Sequence, residues 1–533
     1  MAEKKGGFWL QLVQIILAML LGVLITLTCI KAGSNRYERK VRYQDWQKLN
    51  VILGVVEKNY VDTIKVKEMT DAAIVAALHE LDPHSVYLPP VELESSEADL
   101  AGDFEGIGIQ FNVPNDTAVV LEVIPGGPSE KVGLMPGDRL LKVDTTVIAG
   151  VRFPQDSMVR RMKGPAGTKV KVTVKRERET IPFDITRGKI PMHSIDAYFM
   201  VDDTTAYLRL SKFSASTYKE FRTAASSLLS QGMKRMLFDL RDNSGGYFEQ
   251  ACLLCNEFLS KDDTIVYLQG RRRHKEVTLA DGRGALKDIG LIVLINENSA
   301  SSSEIFAGAI QDNDRGVLVG RRTFGKGLVQ EPLYFNDGSG LRLTVARFYT
   351  PSGRCIQKPY SSDYEYDIYK RYTRGEVFYA DSVKLDSTDV HLTSMGRKVY
   401  GGGGVMPDVF VPVDTTRATD FYVKCNKKAT QMRFATSMFD KYRVTLLSLS
   451  DEKALSQFIA SASLPAQFRA FAAAKDGITA TDAEWKETLP YLEPQINALV
   501  ARYSRLGENA FYKYYLPIDE AVTVALKTDA TVR

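Results

Sequence analysis

The spacing of apolar positions changes several times along the chain, and each change marks a candidate module. Phe8 to Ile30 (FWLQLVQIILAMLLGVLITLTCI) carries no charged residue; as a helix it would extend roughly 35 Å, enough to cross a bilayer core. No small-x-small cleavage site follows, and Thr28 before Cys29 fits lipoprotein processing poorly, so residues 1–35 read as a tail with an uncleaved anchor. Beyond it, VRYQDWQKLNVILGVVEKNYV and MTDAAIVAALHEL place apolar residues three and four apart, which predicts a small helical module over 36–102.

From 103 to 187 the period shortens to that of strands (GIGIQFNV, AVVLEVI, RLLKVD, KVKVTVKRE), broken by Gly and Pro turns such as PGGPSEKVGLMPGD. That is a compact β-rich domain. Over 188–415, apolar strands (AYLRL, RMLFDL, GLIVLIN, GVLVG) alternate with helix-like stretches (SASTYKEFRTAASSLLSQG, FEQACLLCNEFLS, SEIFAGAIQDN), which predicts a largely parallel, layered α/β sheet. Residues 416–533 return to helical spacing (DEKALSQFIASASL, QFRAFAAAK, DAEWKETLPYLEPQINALVARYS) with no motif that would do chemistry. They read as a helical extension for docking or assembly. The whole is a multidomain α+β chain, as expected for 533 residues.

Composition adds mainly exclusions. With 69 basic and 65 acidic residues, the net charge of +4 provides no large field for nucleic acid or anionic lipid. Five scattered cysteines are too few for a disulfide framework, and Cys252 and Cys255 form a CxxC inside an apolar helical run, where core packing is the expected role. Around the anchor, Lys4 and Lys5 precede the span while Lys31, Arg36, Arg39, Lys40 and Arg42 follow it. Charge counting therefore does not support an outward-facing body.

In a layered α/β domain, working residues gather where loops leave the carboxyl ends of strands. Two loops fit: DLRDNSGGYF after RMLFDL, and NENSASSSEIFAG after GLIVLIN. A serine hydroxyl in the second would lie near a positive helix end, with an N–H beside it to stabilise an oxyanion. Ser301 with Glu304 three residues on is equally a capping box. The five histidines (His79, His84, His193, His274, His391) lie outside both loops, which speaks against a histidine base.

GIGIQF, VIPGGPSEKVGLMPGDRLLKVD and MKGPAGTKVKVTVKR together resemble the PDZ domain of the C-terminal (tail-specific) processing peptidases, a family of S41-type Ser/Lys serine peptidases. ENSASSSEIFAGAIQD resembles that family's nucleophile segment, RTFGKGLVQEPL its lysine segment and DLRDNSGG its oxyanion turn, while LDPHSVYL, LTVARFYTPSGR and GRKVYGGGGVMPDV extend the likeness over about 45–415. The last two flank a hydrophilic, tyrosine-rich insertion, SSDYEYDIYKRYTRGEVFYADS.

The resemblance implies a crotonase-like or ClpP-like peptidase core and a serine endopeptidase that needs no cofactor and no metal. It assigns Ser301 as nucleophile, Lys326 as its base and Gln330 as the residue that hydrogen-bonds the lysine. The amide of Ser302, with that of Gly245 or Gly246, would form the oxyanion hole. Gly106, Ile107, Gly108 and Ile109 would bind the carboxylate and last residues of a substrate, since successive amides form an anion nest and the following strand offers an edge for β-augmentation. Partners would be proteins with accessible, apolar C-termini and the membrane, but no nucleic acid; homo-oligomerisation through the helical ends stays open. The family implies an inner-membrane anchor with the catalytic body in the periplasm.

For Lys326 to act near neutral pH, its pKa must fall from about 10.4 towards roughly 7 or 8, as burial can achieve. Contact between Lys326 and Gln330 four residues apart implies a local helical turn, because a strand would separate them by roughly 13 Å. Lys163 in MKGPAGT departs from the arginine of many relatives, and Ser302 replaces the usual small residue after the nucleophile. Two other readings remain: an inactive membrane-tethered PDZ scaffold, and an acyl-binding enzyme of the crotonase type.

Overall fold

The computed structural model describes residues 13, 17–26, 37–113, 116–361, 363–383, 388–415 and 419–530. Most of the expected anchor lies outside these residues; the described part, 17–26, is helical and exposed. Among the described residues no helix is long and apolar enough to cross a membrane.

The chain divides into two compact units, Met1–Ala77 and Leu78–Arg533. The first contains the helix Tyr37–Asn59 and most of the helix Val66–His79. Residues 78–102, expected with that helical module, lie in the larger unit, where Val86–Leu88 pairs antiparallel with Gly340–Tyr349.

The β-rich domain is one antiparallel sheet ordered Ile109–Asn112, Ala118–Val123, Arg139–Val143, Lys169–Arg176, Glu179–Thr186, with Thr146–Val147 attached to the third. KVKVTVKR explains the arrangement: Val170, Val172 and Val174 are buried while Lys169, Lys171 and Lys175 face water. The apolar face closes over Ile107, Val120, Leu140 and Met158. Ile109–Asn112, the strand expected to pair with substrate, is an edge strand.

The catalytic-type sheet runs Ile195–Met200, Thr205–Leu210, Arg235–Asp239, Gly290–Ile295, Val317–Gly320, Val409–Phe410. All neighbours after the first pair are parallel. Its central strands are buried almost throughout, as parallel strands covered on both faces must be. On one face pack the helices Thr217–Ser230, Phe248–Phe258 and Ser302–Asp312; Phe306 meets Phe238 and Phe258 edge-on at 4.9 and 5.7 Å. Cys255 is fully buried in this layer and Cys252 packs against it, both as free thiols. Burial pushes the Cys252 thiol up to about 12.

The other face is covered by the C-terminal extension, whose Leu516, Ala521, Val522 and Ala525 join Tyr207, Leu237 and Ile292 in one cluster. The extension also has its own core around Phe421, Phe434, Phe439, Phe468 and Leu492. Its helices Glu452–Ser461, Asp482–Ala501 and Glu520–Lys527 begin at Asp451, Thr481 and Asp519, whose side chains accept from amides of the first turn. A second, antiparallel sheet was not anticipated from spacing: Gly340–Tyr349 lies between Val86–Leu88 and Thr264–Gln269 and also pairs with Leu328–Tyr334.

Candidate active site

Both loops singled out by the sequence leave adjacent parallel strands, Arg235–Asp239 and Gly290–Ile295, so their side chains meet above the same sheet edge. The first is fixed by Asp239, fully buried, which accepts from Tyr207 (2.7 Å), Arg209 (3.1 Å) and Arg241 (2.6 Å). Burial alone would push that carboxyl up, but the two guanidinium groups hold it far below the usual carboxylate range. Asn243 then stitches loop to loop: its Oδ1 accepts from the Gly245 amide (2.9 Å) and its carbonyl accepts from the Ala300 amide (3.0 Å) and the Ser303 hydroxyl (2.9 Å).

Ser301 stands at the start of the helix Ser302–Asp312 with φ 56° and ψ −112°. A non-glycine residue held there is strained by roughly 1–3 kcal/mol and persists only where its surroundings over-determine it. Ser301 also occupies the cap position of the expected capping box: the Glu304 carboxylate accepts from its amide at 2.9 Å. Capping and strain therefore occur at the same residue.

Glu304 does more than cap. Fully buried, its Oε1 accepts from Thr323 Oγ1 (2.5 Å) and the Gly325 amide (2.7 Å), while Oε2 accepts from the amides of both Ser301 (2.9 Å) and Lys326 (2.8 Å). One carboxylate oxygen thus holds the main chains of Ser301 and Lys326 together. Burial raises its pKa against the pull of those donors.

Lys326 is part-buried, and its Nζ donates to Gln330 Oε1 at 3.1 Å. Among the described residues no hydrogen bond joins it to the Ser301 hydroxyl. Its pKa is lowered by burial first and the Arg342 guanidinium second, with Glu304 and Asp82 opposing. The contact to Gln330 forms without the expected helical turn. Gln330 lies in the strand Leu328–Tyr334, and a register shift between Val329 and Gln330 turns its side chain back towards the lysine.

From Gln330 a ring of hydrogen bonds closes around the lysine loop. Gln330 Nε2 donates to the His84 carbonyl (2.5 Å), His84 Nε2 meets the Tyr364 hydroxyl (2.7 Å), Gln357 Nε2 reaches the same hydroxyl (3.2 Å), and Gln357 Oε1 accepts from the Gly327 amide (2.9 Å). Burial, then the charge of Lys326, brings His84 down to about 4, so its ring is neutral over the physiological range.

Tyr364 belongs to the tyrosine-rich insertion, as does Arg371, which is 1% exposed. Arg371 donates to the carbonyls of Thr323 (2.7 Å) and Phe324 (3.0 Å), and its Nε pairs with Asp367 (3.0 Å). Glu304, His84, Tyr364, Gln357 and Arg371 were not singled out for the site by the sequence. Only Glu304 carried a signal, its three-residue spacing from Ser301; the others come from remote segments.

The two glycines of the turn expected to form the oxyanion hole differ. The Gly245 amide is committed to Asn243 Oδ1, whereas among the described residues the amides of Gly246 and Ser302 have no acceptor. The Gly245 carbonyl accepts from the Phe213 amide at 2.9 Å, so in a trans peptide the Gly246 N–H points the opposite way. A Cβ on Gly245 would stand 2.8 Å from Ser301 Cβ and 2.9 Å from the Ser302 nitrogen, so the turn lies directly against Ser301.

In the β-rich domain, Gly106, Ile107 and Gly108 lead into the edge strand beginning at Ile109, with Gly108 at φ 77°. Among the described residues the amides of Ile107 and Gly108 donate to no acceptor. Lys163 lies over the Phe104 ring at 5.1 Å from its centroid. Among the described residues no cluster of side chains could hold a metal ion.

A profile for the PDZ domain matches residues 106–186, and one for peptidase family S41 matches 204–368. The chain is 33% identical over 380 residues to the carboxyl-terminal-processing protease of Synechocystis sp., covering 67% of this chain and 87% of that protein. It is 32% identical over 351 residues to a probable CtpA-like serine protease of Staphylococcus haemolyticus, covering 64% of this chain and 70% of that one. Among solved structures it is similar to the photosystem II D1 C-terminal processing protease at 25% identity and a TM-score of 0.36, covering 68% of this chain and 91% of that one.

Proposed function

The chain belongs to peptidase family S41, as a carboxyl-terminal processing serine protease with a PDZ domain, and from that premise we propose that it is a membrane-anchored endopeptidase working through a Ser301/Lys326 dyad. Neutral Lys326 takes the Ser301 proton while Oγ attacks the scissile carbonyl; the amides of Ser302 and Gly246 receive the oxyanion. The lysine ammonium then gives the proton to the departing amine of the substrate; water, deprotonated by the again neutral Lys326, attacks the acyl-enzyme, and the ammonium returns that proton to Ser301 Oγ as the ester bond breaks. Gln330 orients the amine between these transfers.

The observation that carries this reading is the single oxygen of Glu304 shared by the Ser301 and Lys326 amides. It fixes the two backbones at a separation no greater than those two contacts together, and a hydroxyl-to-amine hydrogen bond need tighten only when substrate fills the site. Burial lowers the Lys326 pKa, the direction in which a neutral amine becomes accessible.

The PDZ domain would receive substrate C-termini at the amides of Ile107 and Gly108, with the tail adding to the edge of Ile109–Asn112. The uncharged segment Phe8 to Ile30 supports anchoring in a membrane; a catalytic body on the periplasmic side of the inner membrane follows from the family resemblance and runs against the charges that flank the segment.

The test compares wild type, Ser301→Ala and Lys326→Ala, from about residue 36 onward, on an unfolded protein with an apolar C-terminus between pH 6 and 10. Cleavage by wild type alone is expected, rising with pH along a limb below that of free lysine, because only the neutral amine is a base and its pKa is lowered. Each variant should lose at least about 10³-fold. Equal cleavage by all three would overturn the dyad.

A further inference from the structure

The edge strand Ile109–Asn112 is four residues long and starts at the carboxylate-binding turn. A tail anchored by its carboxylate at that turn runs antiparallel to the strand, so its last residue lies beside Ile109 and its upstream residues leave past Asn112. Four residues of strand span roughly 13 Å and guide about four residues of tail. What lies beyond Asn112 therefore meets the fifth and sixth residues from the end.

What lies there is the C-terminal extension. A cleft of ≈ 500 Å³ is walled on one side by Asn112 and Val113 and on the other by Lys428, Met432, Arg433 and Asp476. The two walls are fastened to each other elsewhere: Arg139 pairs with Asp440 at 2.5 Å, and Leu121 packs against the core of the extension. Gly137 approaches Phe439 and Arg443 so closely that a Cβ would stand 2.7 Å from the ring. The cleft is thus a consequence of a packed contact between the domains.

Its chemistry is defined. Asp476 is engaged by Arg433 and by the Thr430 hydroxyl, and Lys428 Nζ donates to the Asp476 main-chain carbonyl at 2.9 Å. Two cations therefore stand against one carboxylate. Met432 is 47% exposed beside them, an adaptable apolar surface. Asn112 Oδ1, at the threshold, is shielded from solvent and has no hydrogen-bond partner among the described residues, an acceptor awaiting a donor.

We propose that this cleft is an extended subsite of tail recognition, in which the C-terminal extension reads the fifth and sixth residues from the substrate's end and favours acidic or apolar side chains there over basic ones. The proposal rests on the PDZ domain receiving C-termini as described above. The extension would then be a specificity element, although it lies outside the peptidase and PDZ segments.

The test uses the Ser301→Ala chain, so that tails bind without being cut, and fluorescent peptides of four and ten residues sharing the same apolar end. The ten-residue tails carry either Glu or Lys at the fifth and sixth positions, and each peptide has a C-terminally amidated control. Amidation should abolish binding, the Glu tail should bind roughly tenfold tighter than the four-residue tail, and Lys428→Glu should erase that gain and favour the Lys tail. Thermal unfolding verifies that Lys428→Glu folds; Met432→Asp, on a neighbouring turn, should likewise weaken only the long tails. Equal affinity for all lengths and charges, with amidation still effective, would overturn the subsite and leave C-terminal recognition standing. Indifference to amidation, or no binding at all, would overturn C-terminal recognition and the subsite with it.

Discussion

The two halves of the proposed dyad are supported in different ways. The serine loop is held by its neighbour in the same sheet: Ser299 donates to the Leu240 carbonyl (2.8 Å), Asn296 pairs with Asp242 (2.8 Å), and Asn243 accepts from Ala300 and Ser303. The lysine loop leaves the next parallel strand, Val317–Gly320, and its Phe324 amide donates to the Ser299 carbonyl (3.0 Å). Its other amides and carbonyls are taken up by Glu304 of the serine segment and by Gln357, Val405 and Arg371, side chains and backbone from three further stretches. Phe324 is sandwiched further by Lys358, whose Nζ lies 3.9 Å from its ring centroid. The serine loop is thus set mainly by its sheet neighbour, whereas the lysine loop depends in addition on parts that must first converge.

The most forceful way to break that contrast is to cut the one group common to both halves. Glu304→Gln keeps the shape but removes the charge and turns an acceptor into a donor facing amides, so both loops should shift. With displacements near 1 Å costing about 10²-fold, kcat/KM should fall by roughly 10²–10³, and a loss under about tenfold would mean that the shared carboxylate does not set the dyad.

Arg371→Met should separate the halves. It leaves the carbonyls of Thr323 and Phe324 without their donor and takes one of its two cations from Asp367, Lys358 remaining at 3.2 Å, with an expected destabilisation of about 3 kcal/mol. Activity should fall by about 10–100-fold. In hydrogen exchange, amides of Thr323 to Gly327 should lose protection while those of Asn296 to Ser301 keep theirs. Uniform loss in both segments would show that the loops are not independently supported.

The smallest expected effect concerns charge alone. Arg342 lowers the Lys326 pKa, second to burial, so Arg342→Gln should let it rise. In the proposed dyad the active species is the neutral amine, so the rising limb of the rate against pH should move to higher pH by about a few tenths of a unit, with the plateau rate unchanged. A shift to lower pH would contradict the electrostatics described here.

The same contrast explains what could be read in advance. Strand, loop and helix at Gly290–Asp312 follow one another in sequence, and the alternation of Val and Lys over Lys169–Arg176 writes a strand without ambiguity. The lysine loop escapes such reading because its supports are separated from it by tens to hundreds of residues. Arg371 looks like a surface cation among tyrosines, yet it is one of the two largest fully buried side chains of the described residues, with Arg354. His84 was weighed as a base, whereas its carbonyl is what holds Gln330. Gln330 itself shows how a correct pairing can be reached by another backbone path, since one register shift in a strand substitutes for a helical turn.

The packing of the final helices beneath the catalytic-type sheet bears on when activity begins during synthesis. Arg241, in the oxyanion turn's own loop, pairs with Asp519 at 2.8 Å, and Ala521, Val522 and Ala525 seal the face under Tyr207 and Ile292. A nascent chain emerging only as far as about residue 500 leaves that face wet and that guanidinium without its second carboxylate. The loop that carries Gly245 and Gly246 therefore rests on a face that is complete only once residues 516–525 have been added.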